Sequence, residues 1–312
     1  MLRRLTSEYL SRSVAFGLAT AVLAGEWDVW WHVGIGRDTF WEPPHILLYG
    51  AVWLAIIAGV IGWRMHSDRI WKRLGWTLVI VPLLAPFDEL WHRMFGVENL
   101  MTPFIIWAPP HVLLILSLFI ALFLVVPLVR KDPDRDLRRL QLLAIYAAAL
   151  QLMIILAIPF NPIGAYHVAG AFGTLPIAFA IAFFFLLVER EIPEKGTPLL
   201  FVAAFLVFLA TGIEDRTAPE ILIPVHEHMP PWLSVFSYLA PAALMVGIVR
   251  QSSAIKGAAV GGLWALVAYG CVPFFYKELD PYGASDALMM ISAAAAGGML
   301  AGWCVGRLRR LS

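Results

Sequence analysis

Pro103-Phe-Ile-Ile-Trp-Ala-Pro-Pro-His111-Val-Leu-Leu-Ile-Leu-Ser-Leu-Phe-Ile-Ala-Leu-Phe-Leu-Val-Val-Pro-Leu-Val129 contains no Asp, Glu, Lys or Arg. A spanning helix needs about 20 predominantly apolar residues, and this stretch supplies them. It is not alone. The 312-residue chain is 60% hydrophobic and 14% charged, with a mean hydropathy of +0.77, well outside the composition of a soluble globular domain. Ten candidate spans cover residues 12–34, 44–64, 74–96, 103–129, 139–160, 166–188, 197–213, 231–250, 255–275 and 285–307. The connections are short and the apolar runs show no strand-like alternation. The fold class expected is therefore all-α, a multi-pass transmembrane bundle of about ten helices forming a single integral membrane domain, 1–312, since helices satisfy their own backbone in lipid.

Charge orients the spans. With that topology, 19 of the 23 Lys and Arg residues fall at one end of the helices, and only Arg37, Arg93, Arg216 and Lys277 at the other. Of the 22 acids, 14 fall at that other end, so a formal net charge of +1 conceals about +11 against −10. Basic residues collect on the cytoplasmic side, which predicts cytoplasmic termini and a plasma or inner membrane location with the acidic face outside. The basic clusters are accounted for by topology and anionic lipid, so membrane lipid is an expected partner and nucleic acid is not. Cys271 and Cys304 lie apart in predicted helices and imply neither a disulfide framework nor a thiolate site. The basic start before Ser13–Gly25 is read as part of the first helix and not as a cleaved leader, because cleavage would strip Asp28 of its supporting helix.

Histidine follows the acids. Seven of the eight histidines map to the acidic ends of helices, with His66 in an opposite loop. The spans pair into hairpins, and the first two, about 12–64 and 74–129, are recognisably duplicated. Asp28 matches Asp88, Trp31 matches Trp91, His32 matches His92, Gly36 matches Gly96, Asp38 matches Glu98, and Pro43-Pro44-His45 matches Pro109-Pro110-His111. The remaining helices, 139–307, keep the hairpin rhythm with weaker similarity. His167, His226 and His228 occupy comparable positions without the motif, and the last hairpin has no histidine.

Helix geometry explains why these spacings suit a metal. Residues i and i+4 share a face, so Asp28 can converge with His32 and Asp88 with His92. Pro-Pro starts the returning helix, whose first turn presents His45 or His111. The positive helix terminus favours the neutral, coordinating imidazole by about 1 kcal/mol or less. One carboxylate and two imidazoles leave open positions and accept Cu(II), Zn(II) or Fe(II). Arg37, Asp38, Glu42 and Glu98 are candidates to orient the ligands from behind, and His226 and His228 are candidate additional ligands. The competing explanation is an interfacial belt: Trp27, Trp30, Trp31, Trp41, Trp91 and Trp107 are what helix ends collect at headgroup level without binding anything. An acid recurring at one offset from histidine in two hairpins favours metal.

The segment Asp28-x3-His32, Arg37-Asp38-Thr39 and Pro44-His45, with its repeat, resembles the metal-binding signature of the C subunit of particulate methane and ammonia monooxygenases, over about residues 20–115. The resemblance implies one copper site at Asp28, His32 and His45 and a neighbouring one at Asp88, His92 and His111. It further implies a copper-dependent monooxygenase-like oxidoreductase acting on a small apolar or lipid-like substrate, supported by other membrane subunits or an external electron donor. No catalytic residue follows from it. Two alternatives stand beside it. One is a zinc-dependent membrane hydrolase with Glu26, Glu42 or Glu98 as general base. The other is a non-enzymatic metal transport or acquisition protein, disfavoured by helix middles almost devoid of ionisable groups.

Overall fold

The computed structural model describes residues 2–34, 41–95, 108–157, 170–193, 252–267 and 284–308, with positions 198, 246 and 249. Among these residues the chain is all-helical, without a strand. Eight helices are described: α1 (Leu2–Gly34), α2 (Pro43–Met65), α3 (Arg69–Phe95), α4 (Pro109–Val129), α5 (Arg135–Ala157), α6 (Gly170–Glu191), α7 (Ser253–Ala265) and α8 (Ala284–Leu308). Four of them, α2, α3, α4 and most of α8, are long and apolar enough to cross a membrane. The spans predicted at 197–213 and 231–250 lie almost entirely outside the described residues. The helices group into two compact units, Met1–Leu152 and Met153–Ser312, each considered by itself.

Helix bounds depart from the predicted spans in an instructive way. α1 begins ten residues before its predicted span at 12. Hydropathy reports which residues suit hydrocarbon, whereas a helix continues until something stops it, and residues 2–11 contain neither Pro nor Gly. α3 runs through Pro82 and Pro86. A proline removes one intrahelical bond, which a helix in a bundle tolerates.

In the first unit α1 packs on α2, α2 on α3, α3 on α4, and α4 back on α1. Gly17 lets α1 approach α2 closely, since a Cβ there would lie 2.9 Å from the Ala51 carbonyl oxygen. Gly62 similarly makes room for the buried Trp71 ring. The opposite faces of these helices stay apolar yet exposed, as at Trp53, Ile57, Leu83 and Phe87, which is the distribution expected of lipid-facing surface.

The end of this unit away from Asp28 is fastened by one buried carboxylate. Asp132, in the α4–α5 connection, accepts two 2.7 Å hydrogen bonds from the Arg12 guanidinium of α1, one of 2.8 Å from the Gln141 amide and one of 3.0 Å from the Asp134 backbone N–H. The Arg12 hydrogen bonds hold its carboxyl at about 2, below the ordinary 3.8, against the opposing effect of burial. Because the folded-state value is depressed, the stabilisation is complete above the ordinary carboxylate range and is lost as pH falls through about 2.

In the second unit α7 and α8 meet along glycines. Gly257 and Gly261 face Gly298 and Gly302, and a Cβ at any of the four would collide with facing backbone. Such small-xxx-small ridges are how helices approach when lipid provides no hydrophobic drive between them. α6 packs against both, and Lys256 reaches Glu189 at 2.6 Å.

Two outcomes follow. Asp132→Ala should lower stability by roughly 1–3 kcal/mol in thermal unfolding of the detergent-solubilised protein, and the difference from the parent should shrink as pH falls from the ordinary carboxylate value of 3.8 toward about 2. Gly298→Leu should destabilise by about 1–3 kcal/mol or more through overpacking, whereas the same change at Gly50, whose Cβ position is open, should be near neutral.

Candidate metal centre

Each of the first two hairpins closes with a proline pair. Pro43 and Pro44 open α2 and Pro109 and Pro110 open α4, where their missing N–H groups have no helical acceptor to lose. The two starts share one backbone conformation. The N-cap residues Glu42 (φ −63°, ψ 148°) and Ala108 (φ −52°, ψ 136°) are both extended, and their carbonyls accept the first helical bonds, from Ile46 and Val112, each at 3.0 Å. This places His45 and His111 at the third helical position, turned toward the preceding helix.

There one Asp and one His from each hairpin meet. His45 Nε2 lies 2.8 Å from Asp28 Oδ1, and His111 Nε2 lies 2.8 Å from Asp88 Oδ1. The first pair is the more enclosed: His45 is 5% exposed at its side chain and His111 13%. His45 also leans on Tyr49, one turn further along α2, with ring centroids 5.7 Å apart. Glu42, itself buried, brings Oε2 to 3.8 Å from His45 Nδ1, and one donor atom each from Asp28, Glu42 and His45 lies within 4.8 Å of the others.

This donor set fits a metal ion. With metal–ligand bonds of about 2.0–2.2 Å, neighbouring donors on one ion stand about 3 Å apart, so the Asp28 and His45 atoms reach a shared ion by shifting a few tenths of an ångström. Each close pair becomes a metal site when the imidazole nitrogen facing the carboxylate carries no proton.

The remaining expected residues divide clearly. His32 and His92 lie in α1 and α3, one turn after Asp28 and Asp88, while their side chains fall outside the described residues. Arg37, Asp38, Glu98, His167, His226 and His228 also lie outside them. Of the four residues expected to orient ligands, Glu42 is therefore the one that the structure places, and it places it within the cluster. Tyr49 was not anticipated, although its i+4 spacing from His45 was the available signal. No family model, curated protein or solved structure matches the chain.

The geometry predicts two specific cross-links. After Cys271 and Cys304 are replaced by Ser, cysteine pairs at 28/45 and at 88/111 should each be joined in membranes by a short bis-thiol reagent, detected as protection from a second thiol label. Failure at both pairs would contradict the hairpin geometry.

Proposed function

We propose that this protein is a multi-pass membrane metalloprotein that binds metal at the ends of its first two helical hairpins, with copper as the metal and monooxygenase-like oxidation as the chemistry. One observation carries the metal reading: an Asp–His pair at 2.8 Å occurs twice, on equivalent backbones, in two hairpins whose sequences correspond. A lone pair of this kind is a common structural contact. Its repetition with the same nitrogen and the same carboxylate position supports a shared chemical role.

Asp28, His32 and His45 would hold one ion and Asp88, His92 and His111 another. Copper bound there would supply the one-electron chemistry needed to activate dioxygen. The chain's own contribution is position and environment. α1 and α2 bring donors from two helices to one point. The Tyr49 ring lies against His45, and the lipid-facing helices around the first site suit a small apolar or lipid-like substrate arriving from the bilayer. The acid- and histidine-rich ends face outward, both termini lie in the cytoplasm, and electrons come from an external donor or a partner subunit.

A zinc-dependent hydrolase is the second reading, and the position of Glu42 favours it. A carboxylate within 4.8 Å of both Asp28 and His45 donors lies where a general base for a metal-bound water belongs.

Metal analysis of the protein purified from membranes without chelator separates these readings. One or two coppers per chain are expected, one lost in Asp28→Ala/His45→Ala and the other in Asp88→Ala/His111→Ala. Zinc in their place would favour the hydrolase, and a metal-free parent that takes up neither ion would overturn the proposal.

A further inference from the structure

The two Asp–His pairs stand on matching backbones but differ in the side chain behind the imidazole. Positions 42 and 108 are equivalent: each is the N-cap of the returning helix, each is extended, and each precedes Pro-Pro-His. One carries a carboxylate and the other a methyl group. Glu42 is 5% exposed and makes no side-chain capping hydrogen bond to α2, the usual use of an acid at this position. Its Oε2 approaches Nδ1 of His45, while Nε2 of the same ring meets Asp28. Both carboxylates thus border the His45 ring, with an oxygen of each within 4.8 Å of the other. Behind His111 the corresponding residue is Ala108, buried and with nothing to offer.

We infer that the charge of Glu42 makes the two metal sites unequal, so that the α1–α2 site takes a divalent cation more tightly than the α3–α4 site. The inference rests on the proposal that the hairpin ends bind metal. Glu42 adds a second negative charge, within 4.8 Å of the other donors, which offsets a divalent ion and overcompensates a monovalent one. Soft cuprous ion gains least from such oxygen-rich surroundings. The α1–α2 site is thereby suited to M(II), and the α3–α4 site is the more permissive of the two.

Zn2+, redox-silent and measurable by calorimetry, is the probe, applied to the full chain in detergent. Each site is isolated by removing the other with Asp88→Asn/His111→Ala or Asp28→Asn/His45→Ala. The α1–α2 site should bind Zn2+ more tightly. Glu42→Ala should weaken it by roughly 10–100-fold, the usual effect of losing such a partner. Glu42→Gln, which keeps the side-chain volume and an oxygen donor but carries no charge, should fall between parent and Glu42→Ala. Ala108→Glu should tighten the α3–α4 site, a gain that a merely structural role for Glu42 does not produce. Equal affinities in the two isolated sites, or a Glu42→Ala protein that folds and binds Zn2+ as the parent does, would overturn the inference while leaving metal binding intact. Absence of Zn2+ binding at both sites would overturn the inference, and absence of copper binding as well would remove the underlying proposal.

Discussion

A carboxylate near the end of an apolar hairpin has to be answered by a donor, because leaving it buried and unmatched costs several kcal/mol or shifts it to the neutral form. In this protein the answer comes from the first turn of the following helix. Asp28 of α1 meets His45 of α2, and Asp88 of α3 meets His111 of α4. The pairing constrains how each hairpin closes. It requires a proline start that aims the third helical residue backward and an extended N-cap. Local backbone chemistry and long-range packing thus converge on the same few atoms.

The two ends of the first unit use charge differently. At the far end Asp132 is met by Arg12, a permanent cation with a planar fork, and by an amide and a backbone N–H, an arrangement that locks α1 to the α4–α5 connection. At the near end the partners are imidazoles, which can give up a proton and coordinate an ion in its place. An arginine at position 45 would hold Asp28 at least as firmly and would leave no ligand. The choice of histidine twice, against arginine at the structural end, is what the metal reading explains and simple fastening does not.

How much of this was legible in the sequence depends on the range over which each signal acts. Apolar length revealed the helices, because a bilayer admits few other folds, yet it missed the start of α1, since hydropathy is indifferent to a polar helical extension. The pairing of Asp28 with His45 could be read from the duplication and the Pro-Pro-His start, both local features. Glu42 could be nominated but not distinguished from Arg37, Asp38 and Glu98, because its position depends on N-cap backbone angles that no periodicity records. Asp132 and Arg12 are separated by 120 positions in the chain. A tally of charges by side counts both and pairs neither. The Gly257/Gly261 and Gly298/Gly302 spacings are visible in the sequence, whereas the fact that they face each other is a property of packing alone.

Anomalous diffraction from crystals of the protein prepared with copper and without chelator tests whether the duplicated Asp–His pairs are metal sites. Anomalous peaks are expected between Asp28 and His45 and between Asp88 and His111, each within bonding distance of both residues. Well-ordered Asp–His pairs still in contact at 2.8 Å, with no anomalous density at either hairpin end, would contradict that reading.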